Sequence, residues 1–220
     1  MSLNFNRSHH RKPRIWAVTN LLVMAWATFA QSPNVKKFKI LILGDSLTEG
    51  YGVEKEDAFP TRLEIKLNQW QNRFQILNGG SSGSTSASAV KRLKWYGKNE
   101  PDLVLLALGS NDGLRGVKPE ETLKNVEAAI LFCREKKWPV ILAGLKVPPN
   151  YGAEYGAAFE KIFPTLASRY KLPLIGFLLE GVAGEADLNQ ADGLHPNEKG
   201  HDKIGVHLFQ FLKPILLKSL

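Results

Sequence analysis

Continuous apolar runs alternate with longer amphipathic stretches from residue 36 onward. Such runs are typical of strands that are covered on both faces, as in a parallel sheet. The runs that predict strands are Phe38–Leu43, Phe74–Leu77, Leu103–Leu108, Val140–Ala143 and Leu172–Ile175. Apolar spacing and helix-end residues predict helices over 58–70, 119–137, 152–170 and 197–213. The alternation predicts an α/β fold, with helices on both faces of a five-stranded parallel sheet.

The composition suits one globular domain, which we place at residues 36–220. The chain has 220 residues, 44% of them hydrophobic, which is enough for a sizeable core. Its single cysteine, Cys133, excludes an intramolecular disulfide. Cys133 lies on the apolar stripe of the helix predicted for 119–137, so we expect a buried structural thiol.

The formal net charge of +8 does not indicate a nucleic-acid partner. Four of those charges are on Arg7, Arg11, Lys12 and Arg14, within a first stretch of thirty residues that holds no acid. The remaining excess is spread along the rest of the chain, whereas nucleic-acid binding requires a concentrated basic patch. We therefore predict no nucleic-acid binding.

The first thirty residues have the pattern of a targeting segment. A basic stretch precedes the apolar stretch 15–30, which is short for a membrane span of about twenty residues. Thr28 and Ala30 fit cleavage before Gln31, and no cysteine lies nearby that would indicate a lipid-modified N-terminus. We expect an exported protein, periplasmic or secreted, and a retained N-terminal anchor is the alternative.

Polar, glycine-rich segments follow the predicted strands. In doubly wound sheets the ligand site lies beyond the carboxyl ends of the strands. The segments that come there are Gly44-Asp45-Ser46, NGGSSGSTS (78–86), GSND (109–112) and, before the last helix, DGLHPN (192–197). We expect the functional site at this edge of the sheet.

Ser46 and His195 have the chemistry of a nucleophile and its base. A serine hydroxyl reacts only when a base takes its proton. Asp192 precedes His195 by three residues, and this spacing lets a carboxylate orient the imidazole. A capping arrangement before the helix is the other explanation. A metal site of Asp192, His195 and His201 lacks the compact spacing of zinc ligands, so we predict none.

Three strand ends offer donors for the oxyanion of a tetrahedral intermediate. The candidates are the backbone N–H groups of Ser46 and Gly83 and the side-chain amide of Asn111. Glycine at 83 permits close approach of the backbone, and the amide of Asn111 is a neutral donor. Taken singly, Gly83 is equally typical of a turn and Asn111 of a helix cap.

The blocks GDSL (44–47), Gly83, GSND (109–112) and DGLHPN (192–197) together resemble the signature of SGNH, or GDSL, hydrolases. The longer stretches GSNDGLRG (109–116), VPPNYG (147–152) and DGLHPNEKG (192–200) resemble the bacterial thioesterase/lysophospholipase/arylesterase branch. The resemblance covers residues 38–213. It departs from the branch at Ser110, where relatives often carry glycine, and at Glu49, where many carry a small residue.

The resemblance implies a three-layer α/β/α sandwich of flavodoxin type and ester hydrolysis without a cofactor. Ser46 would be the nucleophile, His195 the base and Asp192 its orienting acid. Ser46, Gly83 and Asn111 would form the oxyanion hole.

The substrate expected from these residues is a small-molecule ester. Leu114 and Val117, in the turn 112–119, are candidates for the substrate-binding walls. Tyr151 and Tyr155 are candidates for another wall, and surface packing explains them equally well. The apolar side chains of Leu114 and Val117 favour lipid or aryl esters. A lipid substrate would bring transient contact with a membrane surface. The alternatives are a carbohydrate O-deacetylase and a non-catalytic flavodoxin-like binding module. The sequence does not indicate an oligomeric state.

Overall fold

The computed structural model describes residues 1–2 and 36–219. The predicted signal peptide or anchor, residues 1–30, therefore lies outside the described residues except for its first two positions. No helix within 36–219 combines the length and the apolar character needed to cross a bilayer.

Five parallel strands form one sheet, as the apolar runs predict. They are β1 (Phe38–Gly44), β2 (Phe74–Gly79), β3 (Leu103–Ala107), β4 (Val140–Ala143) and β5 (Leu174–Ile175), in the order β2-β1-β3-β4-β5. All four strand pairs are parallel. This is the flavodoxin-like order, in which the direction of strand addition reverses between β1 and β3 and creates a crevice at their carboxyl ends.

The helices complete a three-layer sandwich. They are α1 (Ser46–Glu49), α2 (Phe59–Trp70), α3 (Ala89–Tyr96), α4 (Ser110–Leu114), α5 (Pro119–Glu135), α6 (Ala153–Glu160), α7 (Ile162–Tyr170) and α8 (Glu198–Ser219). Helix α2 packs against α8, whereas α5 packs against α3 and α7. With right-handed crossovers, this strand order places α2 and α8 on one face of the sheet. It places α3, α5 and α7 on the other face. The predicted α/β/α fold is confirmed.

Two helix predictions were wrong in their bounds. The predicted helix 152–170 is two helices, because Pro164 has no N–H to continue the hydrogen bonding across Lys161. Helix α8 continues through Pro214 to residue 219, beyond the predicted end at 213. Leu212 and Leu216 are both buried, so core packing on either side of the proline stabilises the continued helix.

The core lies between the sheet and both helical layers. Ile40 to Leu43 are fully buried, which explains why β1 is apolar on both faces. Cys133 is buried in the same core, as predicted, and burial raises the pKa of its thiol to about 12. Residues 36–219 thus contain a five-stranded sheet with a hydrophobic core.

Candidate active site

Ser46 is presented by the sharp connection between β1 and α1. Gly44 packs so tightly that a Cβ would collide with the Thr48 side chain. Asp45 caps α1, since its Oδ1 accepts a hydrogen bond from the Leu47 N–H at 3.1 Å. Burial raises the pKa of Asp45, although hydrogen bonds from Leu47 and Ser110 oppose the shift. These contacts leave Ser46 partly exposed at the first position of the helix.

The structure brings Ser46, His195 and Asp192 together in one hydrogen-bonded chain. Ser46 Oγ lies 3.0 Å from His195 Nε2, and His195 Nδ1 lies 2.6 Å from Asp192 Oδ2. An ionised carboxylate can only accept, so Nδ1 carries the proton in this pair and Nε2 presents a lone pair to the serine. The arrangement can remove a proton from Ser46 and hold it on the imidazole.

Asp192 is kept ionised by its own short turn. Its Oδ1 accepts hydrogen bonds from the backbone N–H groups of Leu194, at 2.9 Å, and His195, at 3.0 Å. Desolvation by itself would raise the pKa of Asp192, but the hydrogen bonds from His195 and Leu194 outweigh it and lower the pKa to about 2. The carboxylate is therefore negative throughout the neutral range.

Gln190 connects the histidine loop to the loop after α1. Its side-chain amide donates to the carbonyl oxygens of Tyr51, at 2.7 Å, and Pro196, at 2.9 Å, and its backbone N–H donates to the His195 carbonyl at 2.7 Å. The Tyr51 ring lies against the His195 ring, with centroids 4.7 Å apart. Sequence reasoning missed both residues. Tyr51 directly follows GDSLTEG, and its nearness to that motif was the one available signal.

The predicted oxyanion donors come from neighbouring strand ends. Gly83 has φ +73°, which glycine adopts without strain, and Arg115 Nη2 donates to its carbonyl oxygen at 3.0 Å. One N–H of the Asn111 amide donates to the Ser84 carbonyl at 3.1 Å, which leaves its other N–H for a ligand. Among the described residues, no acceptor pairs with the backbone N–H of Ser46 or Gly83. The hydrogen bonds of Asn111 and Arg115 join α4 directly to the loop that carries Gly83.

Asp112, next to Asn111, has a structural position. It is buried, and its carboxylate accepts hydrogen bonds from the Ser86 N–H at 2.8 Å, the Ser86 hydroxyl and the Thr122 hydroxyl at 3.3 Å. These bonds join the segment after β2 to α4 and to the start of α5. Asp112 consequently fixes the backbone beneath Asn111.

The turn between α4 and α5 is held by two tyrosines. Tyr151 Oη donates to the Leu114 carbonyl at 2.8 Å, and Tyr155 Oη donates to the Val117 carbonyl at 2.8 Å. Leu114 and Val117 are half-buried, and so are both tyrosines. The predicted wall residues thus form one unit, in which Tyr151 contacts the turn through its hydroxyl.

His201 lies away from the Ser46 chain, in the packing between α8 and α2. It is buried, and its Nδ1 accepts a hydrogen bond from the Phe59 N–H at 3.2 Å. Desolvation lowers the pKa of His201 to about 4. No group of three histidine, cysteine or acidic residues suited to a metal ion occurs within the described part of the chain.

Comparison with known proteins gives the family. A sequence model of the GDSL-like lipase/acylhydrolase family matches residues 42–203. Esterase TesA of Pseudomonas aeruginosa is 33% identical over 178 residues, which cover 80% of this chain and 89% of that protein. Thioesterase 1/protease 1/lysophospholipase L1 of Escherichia coli K12 is 35% identical over 178 residues, covering 80% of this chain and 84% of that protein.

A solved structure has the same fold over the same region. The psychrotrophic esterase EstA from Pseudoalteromonas sp., in a structure inhibited by monoethylphosphonate, superposes with a TM-score of 0.78 at 33% identity. The match covers 82% of this chain and 99% of that one. The fold, the family match and these relatives agree: the chain belongs to the GDSL-like lipase/acylhydrolase family and is a carboxylic ester hydrolase of the SGNH type.

Proposed function

We propose that the protein hydrolyses carboxylic esters with Ser46 as nucleophile, His195 as general base and acid, and Asp192 as the orienting carboxylate. The observation that carries this assignment is the hydrogen-bonded chain from Ser46 Oγ through the imidazole to Asp192, with distances of 3.0 Å and 2.6 Å. This order of hydroxyl, imidazole and carboxylate supports the roles of nucleophile, base and orienting acid.

The first half-reaction forms an acyl-enzyme. Ser46 Oγ bonds to the ester carbonyl carbon while its proton passes to His195 Nε2. The carbonyl oxygen becomes an oxyanion, which accepts hydrogen bonds from the N–H groups of Ser46 and Gly83 and from the Asn111 amide. The bond from the carbonyl carbon to the leaving alcohol or thiol then breaks, and the imidazolium returns its proton to that group.

Water completes the second half-reaction. It donates a proton to His195 Nε2 and bonds to the acyl carbon through its oxygen, giving a second tetrahedral oxyanion in the same site. The bond to Ser46 Oγ breaks, and the proton returns to the serine. Asp192 remains ionised throughout, since its pKa is about 2.

The substrates we propose are lipid or aryl esters. Leu114 and Val117 are apolar, half-buried side chains on the turn that follows Asn111, so an apolar acyl or aryl group can pack there. A lipid substrate entails transient contact of this edge with a membrane surface. The names of the relatives, a thioesterase and lysophospholipase among them, agree with ester or thioester substrates of this kind.

Hydrolysis of p-nitrophenyl esters from acetate to palmitate tests the proposal, with wild type and Ser46→Ala compared at each chain length. We expect Ser46→Ala to lose at least about a thousandfold in kcat, and we expect an optimum beyond acetate. A fluorinated alkyl phosphonate should add covalently to Ser46, as an adduct located by peptide mass spectrometry. Retained activity in folded Ser46→Ala would overturn the nucleophile assignment, and strict preference for acetate would favour the deacetylase alternative.

We also propose that the enzyme acts outside the cytoplasm. The basic residues before a short apolar stretch, and the small residues Thr28 and Ala30, support removal of residues 1–30 during export.

A further inference from the structure

The loop 80–84, which carries Gly83, is attached to helix α1 through Glu49. Glu49 Oε2 accepts hydrogen bonds from the Ser82 N–H at 2.7 Å and from the Ser82 hydroxyl. Gly80 lies directly against the backbone of Glu49, where any Cβ would collide. Since Ser46 begins the same four-residue helix, Glu49 ties this loop to the element that carries the nucleophile.

Helix α4 holds the other side of the same loop. Arg115, at the end of α4, donates to the Gly83 carbonyl, and Asn111 donates to the Ser84 carbonyl. Glu49 therefore fixes the peptide group before the Ser82–Gly83 peptide, and Arg115 fixes the one after it. The N–H of Gly83 belongs to the peptide between them and has no acceptor among the described residues.

Glycine makes such a restraint necessary. Gly83 has φ +73°, and a glycine with no restraint populates positive and negative φ about equally. Each change of φ or of the preceding ψ reorients the Gly83 N–H. An oxyanion donor contributes fully only when it is already aimed at the developing charge.

We propose that Glu49 is a positioning residue, which orients the Gly83 N–H toward the oxyanion by binding Ser82. This inference rests on the proposed role of Gly83. It also explains the departure at position 49: an acid replaces a small residue there because its carboxylate spans the gap to the loop. In this role Glu49 acts through the loop 80–84 and not on the reacting atoms.

Three substitutions at Glu49 separate the effect of side-chain length from the effect of charge. Glu49→Gln keeps the length and an acceptor oxygen but removes the charge, whereas Glu49→Asp keeps the charge but shortens the side chain. Glu49→Ala removes both. If the Glu49 side-chain oxygen orients the loop, kcat should fall about tenfold in Glu49→Asp and Glu49→Ala and stay within about threefold of wild type in Glu49→Gln. KM should change little, because the Gly83 N–H acts on the transition state.

The full-length protein is assayed with one p-nitrophenyl ester, and the rate of inactivation by the phosphonate is measured in parallel. That rate should follow kcat, since the tetrahedral phosphonyl group occupies the same oxyanion site. Glu54→Gln is the matched control, an exposed acid in the following loop whose side chain has no bond to residues 80–84. Thermal unfolding of each variant shows whether the fold is intact.

Two results would overturn the inference: equal activity of all three Glu49 variants and wild type, or a Glu49→Asp variant that behaves as wild type while Glu49→Gln does not. The second result would assign the effect to charge. Ser46→Ala, assayed beside them, tests the proposed function separately, because an active Ser46→Ala rejects the mechanism whatever the Glu49 variants do.

Discussion

Two histidines six residues apart, His195 and His201, have opposite surroundings. His195 is partly exposed and is hydrogen-bonded to a carboxylate and a hydroxyl. His201 is 1% exposed, and its Nδ1 accepts the Phe59 N–H at the start of α2. Protonation of His201 would bury a charge, and this desolvation lowers its pKa to about 4. A proton at Nδ1 would also remove the hydrogen bond from the Phe59 N–H.

This shift predicts a loss of stability in acid. Between pH 6.5 and about 4 the unfolded chain binds a proton at His201 that the folded chain does not, so the free energy of unfolding decreases as the pH falls. The shift corresponds to about 3 kcal/mol at most. In His201→Asn the side-chain oxygen can replace Nδ1 as acceptor but cannot titrate. The free energy of unfolding of this variant should therefore decrease less than that of wild type between pH 6.5 and about 4, by up to about 3 kcal/mol.

Denaturant unfolding of both proteins at a series of pH values measures the difference. Above pH 7 their free energies of unfolding should differ by a constant offset. Parallel curves through the acidic range would show that His201 titrates normally in the folded protein.

At the scale of elements, the turn between α4 and α5 depends on residues of the distant segment 149–160. Tyr151 and Tyr155 reach it through hydroxyl–carbonyl hydrogen bonds of 2.8 Å each. The Tyr155 ring also packs against the core, because it stacks on the buried ring of Phe159. The position of Leu114 and Val117 is therefore fixed by packing from outside their own loop.

The double variant Tyr151→Phe/Tyr155→Phe removes both hydroxyls and keeps both rings. We expect a more mobile turn and a loss of up to about thirtyfold in kcat/KM for decanoate esters, with acetate nearly unchanged. Each of the two hydrogen bonds contributes about 1 kcal/mol, and only a long acyl group contacts the turn. Steady-state kinetics on the two p-nitrophenyl esters measures it. Tyr170→Phe, whose hydroxyl bonds Glu127 instead, is the control. Equal losses on both esters would contradict a role of the turn in chain-length preference.

For the whole molecule, residues 36–219 contain a five-stranded sheet with a hydrophobic core. We expect a protein expressed in bacteria with its own N-terminus to be shortened to Gln31, as measured by intact mass. Ala30→Lys should block that cleavage, because signal peptidases require a small residue at this position. The shortened and blocked proteins should share one thermal unfolding midpoint for the domain. Recovery of wild type at full length in the membrane fraction would favour the anchor instead.

The sequence by itself determined the five strands and the longer amphipathic helical stretches, and it predicted the catalytic residues. Apolar runs define the strands because a strand covered on both faces must be apolar throughout, and the order of strands and helices restricts the topology to a doubly wound sheet. Ser46, Asp192 and His195 were predicted as the catalytic residues because their residue types and short motifs have the required chemistry. The turn geometry of Asp192 followed from a local spacing of three residues.

Only the tertiary structure decided what holds those residues in place. Glu49 meets Ser82, and Gln190 meets Tyr51 139 positions away, through contacts that no local periodicity encodes. The burial of His201 and the continuation of α8 through Pro214 likewise depend on which surfaces face each other. Hydrogen bonds and packing join residues that are close in space but far apart in sequence. Sequence patterns indicate only how neighbours along the chain are arranged.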